Sequence, residues 1–389
     1  MTIDNLYNKF LNWLDYNSNK KYYSTKLVIL LVFLSLFFAT PKFLYYNYEA
    51  DDIVTVWNAY KYKSTHLTSS LTQYDPTTHE AKLVFRLSIP ILIKFLGLNF
   101  ISIYIFKFIL GILSLLLTYK ITDNIVKDKV SSTFVTAGLA FIYFGRSGFV
   151  VFPTFDELAY FSVLLALYYP KPWLIFICCT ISAWTDERSF IALPIVLIYY
   201  QILEPLKSDN PNIIFNLKNI LKPNKSSIAA ISAIVFYTFL RLLLSYQYEM
   251  HLPPTISYFY YLKVNIPDLG FGIWSFLEGF WILVFLALVV LLWQKSYFLI
   301  LIISAQLIVS AVIACSVGDI TRSGSCIVPM IFVFLLIIKN NIGNQLLRNV
   351  LFLCFFVCFV FPSHYIVGDL VMEEPLYYEI LHFILKRLL

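Results

Sequence analysis

The sequence has few charged residues for its length. Of its 389 residues, 13% are charged and 59% are hydrophobic, whereas a soluble domain carries about 25% charged residues and about half apolar ones. This deficit excludes a soluble enzyme. The net charge of +6 is spread thinly, without a basic block, so we expect no nucleic acid among the partners of the chain.

Cysteine is also scarce, and most of the cysteines lie where a disulfide framework is not expected. Four of the six cysteines lie inside apolar runs: Cys178, Cys179, Cys354 and Cys358. The sequence therefore predicts neither a disulfide framework nor a zinc site. The first 26 residues are polar and lack a small-residue cleavage site, so we expect no cleavable signal peptide.

What the sequence has instead is a series of apolar runs along its whole length. A helix needs about 20 apolar residues to cross the hydrocarbon core of a bilayer. The runs predict an all-α polytopic membrane protein, a single integral membrane domain over 1–389 with about eleven transmembrane helices. The predicted spans are Leu27–Phe43, Ile101–Thr118, Ser132–Phe149, Leu158–Tyr169, Trp173–Trp184, Phe190–Leu203, Ile228–Ser245, Ser275–Trp293, Tyr297–Ser316, Cys326–Ile338 and Val350–Pro362.

Lysines indicate which loops are cytoplasmic, because positive residues collect in short cytoplasmic loops. Four lysines precede the first span, so we expect 1–26 to be a cytoplasmic N-terminus. The first outer loop is then 45–100, with interfacial or re-entrant helices, and 101–362 holds the remaining spans. We expect the tail 363–389 to lie outside, with Tyr377–Leu389 as an amphipathic interfacial helix.

The segment Leu83–Leu98 decides this topology. It is short, carries Arg86 and Lys94, and is interrupted by Pro90. If it spans the membrane, the lysines of 120–129 lie outside and every later loop is inverted. If it lies on the outer surface or re-enters, the lysine-rich loops all fall inside. We adopt the second interpretation.

With this topology, acidic residues of four outer loops face the same side of the membrane. Short loops need polar residues in any case, but the cytoplasmic loops contain mostly lysine and asparagine, so solvation alone does not predict the asymmetry. The acidic residues are Glu49, Asp51 and Asp52 in NYEADD, Asp156 and Glu157 in TFDE, Asp186 and Glu187 in TDER, and Asp319 in GDITR. We expect these loops to converge on one site.

Arginine shows the same bias, since five of the six arginines before the tail fall near the outer face. Arg241 lies within an apolar span, where an ionisable residue indicates a functional site. Arginine binds phosphate in a bidentate fashion that lysine cannot match. Pairing with neighbouring carboxylates is the simpler alternative for Arg188 and Arg322. The candidate phosphate-binding residues are Arg86, Arg188, Arg241, Arg322 and His79.

The segment after Asp52 has helical apolar periodicity. Its apolar positions share one face: Ile53, Val56, Trp57 and Tyr60. This predicts an interfacial helix resting on the outer leaflet, with Asp51 directed away from the lipid. A carboxylate at this boundary suits a reaction between a lipid-borne phosphate ester and a hydroxyl, because it can act as general base while arginines stabilise the leaving phosphate.

These features together resemble the GT-C superfamily of membrane glycosyltransferases, which take a sugar from a polyprenyl-phosphate carrier. Its members carry an acidic motif directly after the first helix, then a long outer loop, often with a His/Pro-containing segment. Here YNYEADD matches the first feature, THEAKLVFRLSIPIL the second, and TFDE a second acidic site. The resemblance covers the N-terminal half of the chain, which lacks the His-Pro-Pro run of the mannosyltransferases.

The resemblance implies that Asp51 or Asp52 is the catalytic base and that Asp156 and Glu157 position the acceptor or a cation. It implies an inverting transfer of sugar to a cell-envelope glycan or lipid, in a bacterial inner membrane with the active site outside. A divalent cation is compatible with the carboxylates, and no other cofactor follows. For the remaining acidic residues the same positioning role rests on local charge alone: Glu49, Asp186, Glu187 and Asp319.

Two other functions fit the same residues. An O-antigen-like polysaccharide polymerase would use similar outer arginines and would differ by taking pyrophosphate-linked oligosaccharides. A transporter or flippase of a lipid-linked sugar should instead carry charges near the bilayer midplane and broken helices in two related halves. The sequence has no such internal symmetry, and its charges collect at one face.

The topology is tested by cysteine accessibility in sealed cells. Cysteines placed at Asp51 and Asp319 should react with an impermeant maleimide added outside, whereas Lys127→Cys and Lys222→Cys should react only after permeabilisation. Reaction of Lys127→Cys from outside would show that Leu83–Leu98 spans the membrane and would invert the later loops.

Overall fold

The protein is an α-helical bundle with one small β-hairpin among its described residues. The structure, a computed structural model, describes residues 3–38, 51–75, 78–150, 154–206, 222–252, 258–361, 365–367 and 369–371. The hairpin pairs β1 (Tyr365–Val367) with β2 (Asp369–Val371) in antiparallel register. Glu49 and the tail Tyr377–Leu389 lie outside the described residues.

The helices follow the apolar runs of the sequence. They are α1 (Ile3–Ser18), α2 (Tyr23–Phe38), α3 (Asp51–Thr65), α4 (Ser88–Leu96), α5 (Phe100–Val126), α6 (Lys129–Phe141), α7 (Tyr143–Arg146), α8 (Asp156–Tyr168), α9 (Pro172–Thr185), α10 (Leu193–Leu206), α11 (Lys225–Tyr248), α12 (Tyr258–Asn265), α13 (Leu269–Leu277), α14 (Trp281–Trp293), α15 (Tyr297–Cys315), α16 (Ile320–Gly324), α17 (Met330–Ile338) and α18 (Asn344–Val360). Short 3₁₀ turns join several of them: Glu80–Leu83, Ser147–Phe149, Glu187–Ala192, Glu278–Phe280 and Ser325–Ile327.

Six helical stretches of the described chain are long and apolar enough to cross a membrane. They are Phe100–Val126, Glu187–Leu206, Lys225–Tyr248, Leu269–Trp293, Tyr297–Cys315 and Ile320–Ile338. Three shorter apolar helices, α2, α9 and α18, coincide with further predicted spans. The chain is therefore a helical membrane protein, with six clear spans where the sequence predicted about eleven. The difference arises because several predicted spans fold as helices of 13 to 17 residues.

Polar side chains fix where several of these helices begin. The side chains of Asn99, Asp128 and Asn224 accept hydrogen bonds from the backbone N–H three residues later, at 2.8, 3.0 and 2.8 Å. Each bond satisfies one of the donors that the first turn of a helix leaves free. At the other end of α4, Gly97 adopts a left-handed conformation that ends the helix.

The helix α17 forms the centre of the bundle. All its residues are buried, which is the pattern of a helix surrounded by others on every side. Around it α5 packs against α6 and α8, α9 lies between α8 and α11, and α18 packs on α6. Several outer helices, α11 and α15 among them, keep large apolar residues exposed, as a helix in lipid does.

The segment Leu83–Leu98 contains α4, a helix of nine residues. At 1.5 Å per residue such a helix is about 14 Å long, less than half of the roughly 30 Å hydrocarbon core. This geometry agrees with the interpretation that the segment does not span.

Two N-terminal elements differ from the prediction. The helix α3 forms as expected, but its apolar face is not directed at lipid: Val56 and Tyr60 are buried, and the Tyr60 ring contacts that of Phe155 at 5.1 Å. The prediction of a lipid-facing surface on α3 was wrong, because an apolar stripe does not distinguish a lipid surface from a protein surface. Within 1–26, α1 was missed.

Gly145 allows α7 to fold back tightly onto the end of α6. A Cβ atom there would lie 2.1 Å from the carbonyl oxygen of Leu139, so Gly145→Ala must displace backbone. We expect the substitution to destabilise the protein by about 1–3 kcal/mol, the usual cost of overpacking. Thermal unfolding in detergent, followed by tryptophan fluorescence, measures it.

Gly270→Ala is the matched control, since a Cβ atom at this helical position meets nothing within 4 Å. It should leave the unfolding temperature unchanged or raise it slightly, because alanine favours helix by about 1 kcal/mol over glycine. Equal effects of the two substitutions would contradict the tight approach at Gly145.

Candidate active site

Charged side chains from four distant segments meet in one ion-pair cluster. We use this name for seven residues: Arg86, Asp156, Asp186, Glu187, Arg188, Asp319 and Arg322. Each has at least one ion pair with another member within 4.0 Å. The segments containing Arg86, TFDE, TDER and GDITR are thus brought together.

Asp186 is the centre of the cluster. Arg188 forms a bidentate contact with it through one edge of its guanidinium group: Nε donates to Oδ1 at 2.8 Å and Nη2 donates to Oδ2 at 2.5 Å. The same Oδ2 lies 3.1 Å from Nη1 of Arg86 and 3.3 Å from Nη2 of Arg322. One carboxylate therefore compensates part of the charge of three arginines.

Arg322 forms a second bidentate ion pair, with Asp156. Its Nε and Nη2 donate to Oδ2 and Oδ1 of Asp156 at 2.5 and 3.1 Å. The Tyr143 hydroxyl donates to Asp156 Oδ2 at 3.1 Å, and the Tyr160 hydroxyl donates to the Arg322 carbonyl at 3.2 Å. Bidentate arginine–carboxylate pairs have a fixed geometry, so this contact locks the start of α8 to α16.

The cluster has a closed side and a more open one. The side chains of Asp156, Asp186 and Arg322 are only 4–5% exposed, whereas those of Arg188, Asp319 and Glu187 are 12%, 20% and 25% exposed. Asp319 lies 3.4 Å from Arg322 and 3.9 Å from Arg188. The accessible side of the cluster is therefore the one formed by Arg188, Asp319 and Glu187.

Helix ends place these charges. Asp156 is the first residue of α8, Asp186 directly follows α9, and Asp319 directly precedes α16. The Asp186 side chain also accepts the backbone N–H of Arg188 at 2.9 Å, which begins the turn into α10. The charged residues of the cluster therefore stand in the sharp turns that connect the apolar helices.

Electrostatics favour charged carboxylates and a neutral histidine. Burial opposes ionisation of Asp186, but Arg188 and Arg86 overcome this effect and hold its pKa well below the usual range. Burial and the charges of Arg86 and Arg322 lower the pKa of His79 well below its ordinary value. At pH 7 His79 is therefore uncharged, and it can offer a phosphate a hydrogen bond but no positive charge.

Arg241 lies beside the cluster without an ion pair to it among the described residues. Its Nη1 donates to the Tyr237 hydroxyl at 2.8 Å, and its guanidinium stacks 4.4 Å from the ring centre of Phe85. Phe85 directly precedes Arg86 of the cluster. Arg241 thus keeps most of its donors free of carboxylates, unlike Arg188 and Arg322.

Glu157 is not part of the cluster. It is buried, and its Oε2 accepts a hydrogen bond from the Ser147 hydroxyl at 2.5 Å rather than from an arginine of the cluster. The backbone of Asp51 and Asp52 begins α3, but their side chains and Glu49 lie outside the described residues. For the candidate bases, the structure therefore gives only the position of the α3 backbone.

For Arg188 and Arg322 the simpler alternative, pairing with carboxylates, is what the structure shows. Sequence reasoning missed Tyr143, Tyr160 and Ser323, whose hydroxyls complete the cluster; Arg188 Nη1 donates to Ser323 Oγ at 3.0 Å. No motif marks these residues, although Tyr160 and Ser323 lie close in sequence to Asp156 and Arg322. Among the described residues, no group of three or more histidine, cysteine or acidic side chains could hold a metal ion.

Comparison of the chain with models of protein families, with curated proteins and with solved structures finds no match.

Asp186→Asn should destabilise the protein by about 3–5 kcal/mol, because it leaves three buried guanidinium groups without their shared counter-ion. A matched control is Asp15→Asn, since Asp15 is 54% exposed beside Arg348 and its loss should cost about 0–1 kcal/mol. Unfolding in detergent at pH 7 compares the two. Similar values would show that Asp186 contributes no more than a surface pair.

The same variant has a defined pH dependence. A carboxylate with a depressed pKa in the folded state contributes stability above its unfolded pKa, and this contribution is lost as pH falls. The difference between the parent and Asp186→Asn should hold from pH 7 to 5 and narrow below about pH 4. A difference that grows on acidification would contradict an ionised Asp186.

Proposed function

We propose that the protein is a glycosyltransferase of the GT-C type, in a bacterial inner membrane. It transfers a sugar from a polyprenyl-phosphate carrier to a glycan or lipid acceptor of the cell envelope, at the outer face. The observation that carries the proposal is the ion-pair cluster at one end of an apolar bundle. Buried ion pairs are expensive to desolvate and often contribute no net stability, so their presence favours a functional role.

The distribution of positive residues supports the orientation. At the bundle end opposite the cluster, Lys339 Nζ donates to the Ile125 carbonyl at 2.7 Å, and Arg348 pairs with Asp128 at 2.6 Å. Lys129 donates to Asn19 there at 3.0 Å. Because lysine collects on the cytoplasmic side, we assign that end to the cytoplasm and the cluster to the outer face. The finer topology, eleven crossings with the C-terminus outside, belongs to this proposal.

In the proposed reaction, Asp51 or Asp52 accepts the proton of the acceptor hydroxyl. The acceptor oxygen forms a bond to the sugar carbon, the bond from that carbon to the phosphate oxygen breaks, and the electron pair leaves with the polyprenyl phosphate. The position of α3 is compatible with this role, since Tyr60 of α3 contacts Phe155, the residue before Asp156.

Phosphate recognition is divided between two kinds of arginine. Arg241 carries no ion pair with a described carboxylate, so it is the proposed first contact of the donor phosphate. Arg188 is at the open side of the cluster, and a phosphate there competes with Asp186 and Asp319 for its donors. The cluster has four carboxylates and three guanidinium groups, so its arginines are already neutralised. Its buried part therefore holds the helix ends in place rather than attracting an anion.

One observation favours the alternative of transport. The span Leu269–Trp293 is interrupted at Glu278–Phe280, and broken helices with a charge at the break occur in transporters. A transferase releases polyprenyl phosphate from the donor, whereas a transporter does not. A polymerase differs from both by forming a pyrophosphate-linked product.

The proposal is tested with purified protein in lipid, a radiolabelled polyprenyl-phosphate sugar and an acceptor fraction. Replacing the catalytic base by asparagine, Asp51→Asn or Asp52→Asn, should lower the rate about 10²–10⁴-fold with donor binding intact. Arg241→Lys should raise the donor KM about tenfold, since one charge-assisted hydrogen bond is lost. Asp15→Asn, at the opposite end, should change neither.

Parental rates for both asparagine variants would place the base elsewhere, with Asp319 the next carboxylate to test. Failure of the parent to bind any polyprenyl-phosphate sugar would reject the transferase. Donor uptake into vesicles without release of polyprenyl phosphate would establish transport instead.

A further inference from the structure

A second site with a buried ionisable residue lies inside the bundle, away from the ion-pair cluster. The span Leu269–Trp293 consists of α13, the turn Glu278–Phe280 and α14. Glu278 is the ninth residue after Leu269, so it lies about 14 Å along the helix axis from that end, well within the apolar part. An acidic residue at a break in a span is the usual mark of a functional position.

The backbone of Glu278 is strained. Its φ is 46° and its ψ is −120°, a combination that residues with a Cβ atom rarely adopt. The next residue, Gly279, is held tightly against α18, because a Cβ atom there would lie 2.2 Å from the Cys354 carbonyl oxygen. Strained positions of this kind persist where the surrounding structure fixes them, and they concentrate at functional sites.

The carboxyl group of Glu278 is buried without compensation. The residue is 1% exposed, and neither carboxyl oxygen has a hydrogen-bond partner in the described part of the chain. Arg146, the last residue of α7, is the charged group whose field reaches it, but no ion pair within 4.0 Å joins the two. The ionised form of such a group would accept no hydrogen bond, and only the field of Arg146 would offset the loss of its hydration.

We propose that Glu278 is a proton-binding site inside the membrane, whose carboxyl group carries a bound proton at neutral pH. The proton removes the charge and needs no further ligand. This inference does not depend on the proposed sugar transfer.

The surroundings favour a proton over a metal cation. Hard cations require several oxygen ligands, whereas the neighbours at the break are apolar: Phe280 contacts Gly138 of α6, and Gly279 contacts Val357 of α18. The titratable groups that face the break are Arg146 of α7 and Cys354 and Cys358 of α18. None of them is a carboxylate, and a cation would be repelled by Arg146.

The test uses dicyclohexylcarbodiimide, an apolar reagent that adds to protonated carboxyl groups in apolar surroundings. The full-length protein in detergent at pH 7 is treated, digested and analysed by peptide mass spectrometry. We expect modification at Glu278 and none at Asp186, which three arginines hold as a carboxylate. Glu278→Gln should lose the modification of this peptide, and a water-soluble carbodiimide should not produce it.

Absence of modification at Glu278 in the folded parent would overturn the proposal. Protection of Glu278 by sodium chloride but not by choline chloride would also overturn it, by showing that a cation occupies the carboxyl group. Thermal unfolding gives an independent readout. Glu278→Gln is a neutral isostere, so it should keep or raise the unfolding temperature, whereas a clear fall would indicate an ion pair with Arg146 and reject the bound proton.

Discussion

The sharing of one buried carboxylate by three arginines is the interaction on which the charged end of the bundle depends. Asp186 lies within 3.3 Å of guanidinium nitrogens from Arg86, Arg188 and Arg322. Three such cations at close range repel one another strongly in a medium of low dielectric constant. Only because Asp186 and Asp156 lie among them can the turns that carry them approach, and these turns end or begin the helices α8, α9, α10 and α16.

This constraint also limits what the arginines can do. A guanidinium whose fork is already filled by a carboxylate is a poor free receptor for phosphate, since the ligand must replace an existing bidentate contact. The members that retain some exposure, and Arg241 beside them, are therefore the ones that a substrate can engage first. The buried forks hold the helix ends at fixed distances, which is what a site needs in order to position two reactants.

The apolar pattern predicted the helices of the core well and their environment less well. Tyr297–Ser316 and Trp173–Trp184 were predicted within one residue at each end of α15 and α9, because a continuous apolar run has sharp polar limits. The proximity of TFDE, TDER and GDITR could be predicted, because the topology places all three loops on the same side of the membrane. The fork between Asp156 and Arg322, 166 residues apart, could not be predicted, since it depends on how α8 and α16 pack.

The two buried sites avoid the energetic cost of a dehydrated charge in opposite ways. In the ion-pair cluster each charge is offset by an opposite charge on another helix end, so the cost of dehydration is met by contacts and the structure there is fixed. At Glu278 the described chain provides no such contact, and the cost is avoided when a proton neutralises the group. A compensated cluster resists change, whereas a site neutralised by a mobile ligand alters its charge whenever that ligand leaves. The strained break at Glu278, joined to α18 through Gly279, is therefore the place in this bundle where a change of charge would act directly on helix packing.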